Sequence, residues 1–261
     1  MSSRTSAAAL ATELFAARRD RCAIPPISER EPTLTPADAY AIQDELVARL
    51  RTDGGRVVGY KLGLTSRPMQ EALGVDEPDY GPVLSTMVHA DGAALAVDDY
   101  IQPRIEAEIG LVLDRPLSGP ELTVLDAARA VGEAFAALEL VDSRIADWRI
   151  TLVDTIADLA SSAAIILGSQ VVSAAGLDLR TLGMVIRRDG ELVDTGAGAA
   201  ALGDPIAAVA WLANTLAPYG VSLEPGQLIM TGSLHAAFPV AAGQWIRAEF
   251  DGLGGVGCRF T

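Results

Sequence analysis

Three glutamates pose the chemical question: Glu106 and Glu108 in PRIEAEIGLVL, and Glu139 in AALELV. Ile, Leu and Val at alternating positions mark the first segment as a strand, and residues two apart in a strand share a face. Two carboxylates on one side repel each other, and burial adds a desolvation cost. They need a cation, a shared proton or open water. A lone Glu-x-Glu on a strand is most often a solvated face. Here the flanks are apolar, and Glu139 also sits among apolar neighbours, where an uncompensated carboxylate is expensive. Three acids without an accompanying cluster of His or Cys favour a hard, oxygen-preferring divalent ion, Mg or Mn, which can retain water or accept substrate oxygens.

Lys61, in VVGYKLGL, is either an edge-strand charge that reaches solvent or a partly buried amine with a lowered pKa suited to proton transfer. Asp79, in EPDYG, has the surroundings of a turn residue; near a metal it could equally orient water or accept a proton. His89 and His235 are the only histidines, and Ser233 two residues before His235 lacks the third orienting group of a triad. Gly196, Gly198 and Gly203 do not follow a strand, tight turn and helix, and there is no GKT or GKS loop, so no nucleotide cofactor is expected. Trp211 and Leu212 fall on an apolar helical pattern and read as core or interface.

The elements that must position these groups follow from local signals. SSRTSAAALATELFAARRD reads as an amphipathic helix; its Glu13 and the lack of an apolar core argue against a targeting segment. Thr35, Pro36 and Asp38 start a second helix in which Ile42, Leu46 and Leu50 recur. A turn at Asp53, Gly54 and Gly55 leads to a strand carrying Lys61, then to a short helix and an irregular loop through TSRPMQEALGVDEPDYGPVL. From Asp91 strands dominate. TVLDAARAVGEAFAALELVDSR starts as a helix, with Thr123 and Asp126 at its cap, and becomes a buried strand near 138–141. A hairpin turns at Asp189 and Gly190, a helix runs from Asp204 and Pro205 towards Gly220, and the strands QLIMTGSL and QWIRAEF precede GGVGCRF at the end.

With 261 residues, half of them hydrophobic, the chain can bury a sizeable core. Its 20 Lys and Arg against 34 Asp and Glu give a net charge of −14, which repels phosphate backbones and anionic membranes. Neither nucleic acid nor membrane is expected as a partner, and no apolar run approaches the roughly 18 residues of a bilayer span. Cys22 and Cys258 form no disulfide framework, in keeping with a reducing, cytoplasmic compartment.

GYKLGLTSRPMQEALGVDEPDYGPVL, PRIEAEIGLVL, ALELVDSRIADWRITLVDTIAD and GQLIMTGSL, in this order, resemble the 2-keto-4-pentenoate hydratase and 4-oxalocrotonate decarboxylase family of the fumarylacetoacetase-like superfamily. The resemblance runs from about Ala39 to the C-terminus. It implies an α+β fold, a mixed, bent β-sheet roll with a smaller helical N-terminal region. Residues 1–75 would form that region with the first strand, and 76–261 the catalytic roll. It also implies Glu106, Glu108 and Glu139 as ligands of Mg or Mn, Lys61 and Asp79 as catalytic groups, and Ser161 near the substrate. One departure is plain: Leu159 stands where the DTxADNAS motif of the family has asparagine, and if that asparagine shapes the substrate pocket the departure implies altered substrate preference or reduced activity.

The activity implied is hydration of 2-hydroxypenta-2,4-dienoate to 4-hydroxy-2-oxopentanoate in meta-cleavage aromatic catabolism. A small 2-oxo acid would chelate the metal, which stabilises the enolate charge. The alternative at the same site is decarboxylation of 4-oxalocrotonate, or hydration of a longer 2-oxo-enedioate. An acylpyruvate-type hydrolase is less favoured because no His precedes His89, and only Leu159 suggests a non-catalytic subunit. Members of the family commonly form homo-oligomers, and some hydratases associate with a partner decarboxylase.

Overall fold

In the computed structural model, which describes residues 5–261, side chains set the ends of the first helices. Ser6 caps α1 (Ala7–Asp20) by accepting from the Ala9 N–H. The short α2 (Ile27–Arg30) leads to α3 (Pro36–Thr52), where Thr35 and Asp38 cap each other reciprocally and Pro36 occupies the first turn. Leu10, Leu14, Ile42 and Leu46 bury together in an apolar cluster separate from the main core.

The chain then forms β1 (Val57–Gly63), α4 (Arg67–Leu73) and β2 (Asp79–Leu84). The last is a fully buried strand, not the irregular loop suggested by its Pro and Gly content. Pairing explains the difference. Antiparallel β2 lies along β1 with Gly81 opposite Lys61 and Asp79 opposite Gly63, and burial of Val83 and Leu84 adds to that ladder. Gln43 of α3 fastens the arrangement by donating to the Tyr80 carbonyl at 3.0 Å and the Ile156 carbonyl at 2.7 Å.

Next come β3 (Val88–Ala90), β4 (Ala93–Leu95), β5 (Arg104–Leu113), α5 (Val124–Ala130) and β6 (Val131–Val141). The helix stops after about two turns, and the strand begins well before 138 because β6 pairs with β5 along almost its full length. The chain continues as α6 (Leu152–Ala157), β7 (Ser162–Ser173), β8 (Gly183–Arg188) and β9 (Glu191–Ala197). Asp189 and Gly190, both at positive φ, make the tight turn between β8 and β9. The remaining elements are α7 (Pro205–Leu216), β10 (Leu228–Ser233), β11 (Phe238–Pro239), β12 (Trp245–Phe250) and β13 (Gly254–Phe260).

The larger sheet has the order β2-β1-β10-β5-β6-β7-β3, with β11 added to β5; the second has the order β4-β13-β12-β8-β9. Both ladders are otherwise antiparallel but contain parallel pairs, two in the first (β1 with β10, β3 with β7) and one in the second (β13 with β4). One face of the larger sheet, through Ile105, Ala107, Ile109, Leu138 and Leu140, joins Ile246, Ala248, Val256 and Phe260 of the second sheet in the main core. The result is the mixed α+β roll expected. Because side chains alternate, the glutamates between those core residues emerge on the opposite face. The apolar helical run Gly198–Tyr219 is long enough by composition to cross a membrane, but α7 itself spans 12 residues and buries Ala208, Val209, Leu212 and Leu216.

Candidate metal centre and active site

The register of β5 and β6 places Glu106 directly opposite Glu139, and Glu108 one pleat further on, opposite Ala137. Each of the three offers a carboxylate oxygen within 4.8 Å of the other two. Glu108 and Glu139 are fully buried and Glu106 is partly buried. The Gly232 N–H of β10 donates to Glu108 Oε2 at 2.9 Å, whereas Glu108 Oε1 and both Glu139 oxygens accept no hydrogen bond. Gly232 is at φ +107°, and a Cβ there would lie 2.0 Å from the Thr65 hydroxyl oxygen. Only glycine allows the backbone to reach the carboxylate in this way.

Burial pushes the Glu106 carboxyl up to about 7, helped by the neighbouring Glu139 charge. Burial likewise pushes Glu108 well above the usual range, with Glu139 and Glu106 adding to it. Glu106 and Glu108 in this setting resist ionisation beside the Glu139 charge unless a cation joins the cluster. The donor set is all oxygen, buried and short of hydrogen bonds, so these residues fit a hard divalent ion.

Lys61 lies in an interior strand between β2 and β10 and is 3% exposed, so it does not reach solvent as an edge-strand charge would. Its Nζ donates to the Ala160 carbonyl at 2.8 Å and stands 3.3 Å from Glu139 Oε2. Burial works to lower its pKa, but Glu139, Asp79, Glu106 and Glu108 outweigh that and raise it. Among the protein's own charges Lys61 is therefore held as an ammonium. The lowered pKa entertained from sequence is not found, because four carboxylates surround an amine that the sequence shows beside none.

Asp79 opens β2 and is fully buried. Gly63, opposite it, makes the space: a Cβ there would lie 2.2 Å from Asp79 Oδ1 and 3.5 Å from Lys61 Nζ. Neither Asp79 oxygen accepts a well-formed hydrogen bond, although the Thr155 hydroxyl approaches closely enough to favour the ionised form. Burial dominates and raises its pKa, against the pull of Lys61.

Leu159, Ala160 and Ser161 form a short turn before β7 with three successive left-handed φ values, +57°, +49° and +58°. Each costs about 1–2 kcal/mol for an L-residue. The turn delivers the Ala160 carbonyl to Lys61 and buries the Ser161 hydroxyl without a hydrogen-bond partner. The Leu159 side chain is 0% exposed and packs in the cluster of Leu10, Leu14, Ile42 and Leu46, while its carbonyl lies against Gly81. The departure from asparagine thus concerns the packing of the helical region. Leu159→Asn is expected to leave turnover within about 3-fold of the parent. It should lower stability by about 2–4 kcal/mol, as an amide replaces a leucine in an apolar cluster. Denaturant titration paired with specific activity checks this, and a tenfold change in specific activity of the folded variant would place residue 159 in the pocket after all.

Ser233 and His235 form no nucleophilic pair. The Ser233 hydroxyl donates to the His235 carbonyl at 2.6 Å, and the ring is committed to backbone on both sides: Nε2 accepts from the Ala107 N–H at 2.9 Å and Nδ1 meets the Ala236 carbonyl at 2.8 Å. Cys22 is exposed and Cys258 buried, both as free thiols. Sequence reasoning missed the Gly232 donor, the Ala160 carbonyl and the buried Arg144–Asp158 pair behind the turn. Two of these are backbone groups with no side-chain signature; for the third, the charged residues following LELV offered a signal.

Residues 62–261 match the family described as fumarylacetoacetate (FAA) hydrolase C-terminal. The chain is 42% identical over 261 residues, the whole of both proteins, to a 2-keto-4-pentenoate hydratase of Burkholderia vietnamiensis. It is 41% identical over 252 residues, 97% of this chain and 96% of the relative, to a 4-oxalocrotonate decarboxylase of a Pseudomonas species. Among solved structures it is similar to 4-oxalocrotonate decarboxylase from Pseudomonas putida G7, complexed with magnesium and adipate. The TM-score there is 0.96 at 38% identity, covering 99% of this chain and 100% of the other.

Proposed function

We propose that this chain, which belongs to the fumarylacetoacetate (FAA) hydrolase C-terminal family, adds water to 2-hydroxypenta-2,4-dienoate to give 4-hydroxy-2-oxopentanoate. The observation that carries the reading is the trio Glu106, Glu108 and Glu139, whose oxygens converge within 4.8 Å beside a buried Lys61. The trio would hold Mg or Mn, which when bound supplies Lewis-acid stabilisation for the charge that develops on a 2-oxo oxygen.

The remaining steps belong to side chains of this chain. Ketonisation moves a proton from the 2-hydroxyl to C5 of the dienoate, and hydration then moves one from water to C3 as the oxygen joins C4. An acid and a base working in alternation end each turnover as they began. Lys61, kept protonated by its surrounding carboxylates, is the acid towards carbon. Asp79, buried, with a raised pKa and without a firm hydrogen bond, is the base. The Ser161 hydroxyl, buried without a partner, holds a substrate oxygen. Assembly as a homo-oligomer, and pairing with a decarboxylase partner, complete the reading; light scattering of the chain alone and with such a partner reads both.

The test is an absorbance assay with Mg or Mn, offering freshly generated 2-hydroxypenta-2,4-dienoate and, separately, 4-oxalocrotonate. Loss of the dienoate band with formation of 4-hydroxy-2-oxopentanoate is expected. Carbon dioxide release from 4-oxalocrotonate without dienoate turnover would transfer the chain to decarboxylation.

A further inference from the structure

Arg144 is 1% exposed, among the largest fully buried side chains of the protein. Its Nε meets Asp158 Oδ1, and its backbone N–H donates to Asp158 Oδ2 at 2.8 Å. One terminal nitrogen donates to the Asp158 carbonyl at 2.6 Å. The other reaches the carbonyls of Asp142 and, at 3.3 Å, of Ser162. The carbonyls at 158 and 162 bracket the left-handed turn 159–161, and Asp142 lies three residues beyond Glu139. A second guanidinium, that of Arg18 in α1, approaches the Ser162 and Ala163 carbonyls at 3.5 and 3.4 Å.

A buried Arg–carboxylate pair gives no stability advantage over well-packed apolar side chains, since desolvation offsets the attraction. What a guanidinium does provide is a rigid planar fork that fixes several acceptors at once. Here the acceptors are the two ends of a strained turn and the segment that follows a metal-ligand candidate.

We propose that Arg144 is a positioning residue for this active site: it locks residues 159–161 so that the Ala160 carbonyl aims the Lys61 ammonium and the Ser161 hydroxyl faces the substrate. The roles of Lys61 and Ser161 in this statement rest on the function proposed above; the lock itself does not.

The test compares full-length Arg144→Met and Arg144→Lys with the parent in Mn²⁺ affinity, steady-state kinetics and amide hydrogen exchange. Arg144→Met should lower kcat about 100-fold, the scale of an ångström-level misplacement of a reacting group. The Mn²⁺ Kd should stay within about 3-fold, because Glu106, Glu108 and Glu139 are held by their own strands. Arg144→Lys should recover about 10-fold of the loss, keeping the charge without the fork. Exchange at amides 158–162 should quicken at least about 10-fold, with amides 105–109 unchanged, as local opening requires. A folded Arg144→Met with kcat within about 3-fold of the parent overturns the proposal. So does equal quickening at 105–109, which marks a merely structural role. If Arg144→Met does not fold, Asp158→Asn, isosteric but with one of the two oxygens that accept from Arg144 replaced by a donor amide, is read by the same criteria. Exchange and Mn²⁺ binding need no substrate, so a parent inert towards the dienoate would sink the proposed function while these readouts still decide the lock.

Discussion

Lys61→Met is expected to lower kcat by about 10²–10⁴, the range lost with a general acid, while the Mn²⁺ Kd stays level or tightens. Methionine fills the space of the straight chain but carries no proton. Lys61 is no ligand: its Nζ is 3.3 Å from Glu139 Oε2 and brings a positive charge to the edge of the proposed cation site. Removing that charge reduces repulsion of a divalent ion, so affinity has no reason to fall. The Ala160 carbonyl loses its donor, which costs stability by about 1–3 kcal/mol. Lys61→Arg should not rescue turnover, since a planar guanidinium is too broad for the slot beside Gly63. Single-turnover loss of the dienoate band, read beside a Mn²⁺ titration, separates the two effects. Full kcat at saturating metal together with a large change in metal affinity would reduce Lys61 to a charge-balancing role.

Such a dissociation could be framed from sequence only in outline. The period-two pattern of PRIEAEIGLVL is local, so it disclosed a strand with Glu106 and Glu108 on one face, as β5 shows. The capping signals of Thr35 with Asp38 and Thr123 with Asp126 are local as well, and both helices start there. The register that sets Glu106 opposite Glu139 depends on pairing across thirty-odd residues, and nothing in either segment encodes it. Tertiary pairing also overrode local preference twice. The Ala-rich start of β6 has helical propensity, and the Pro and Gly of β2 have turn propensity, yet both lie in the larger sheet. The protonation state of Lys61 needed the positions of carboxylates from three strands. For Leu159 the residue type was readable but its direction was not; only packing shows that it faces α1 and α3.

Glu106→Gln should move stability in opposite directions with and without metal. In the metal-free protein at pH 8, the variant is expected to be more stable than the parent. The native Glu106 carboxyl, raised to about 7 from its ordinary 4.5, keeps its proton where the unfolded chain has lost it. Between those values the unfolded state binds fewer protons, so stability falls as pH rises and stays reduced above 7. Glutamine has no proton to lose and escapes that fall. The gain is about 1–3 kcal/mol, or a few degrees in Tm for a chain of this size, and it vanishes near pH 4 where the parent carboxyl is neutral in both states. With metal the order reverses. The parent is stabilised by about 2.7 kcal/mol when Mn²⁺ stands at 100 times Kd, whereas the variant has lost one of three anionic ligands. Its Kd should weaken by more than the 10–100-fold typical of a lost outer-sphere partner, so the same Mn²⁺ concentration barely shifts its melting. Thermal unfolding of both proteins at pH 4 and pH 8, chelated and Mn²⁺-loaded, gives the comparison. A variant that melts no higher than the chelated parent at pH 8 would show that the three carboxylates do not strain one another. A variant that keeps the full Mn²⁺ shift would remove Glu106 from the ligand set. The expected crossing instead marks a cluster whose mutual repulsion is tolerated in the fold because a cation joins it, the answer to why three acids are gathered on one buried face.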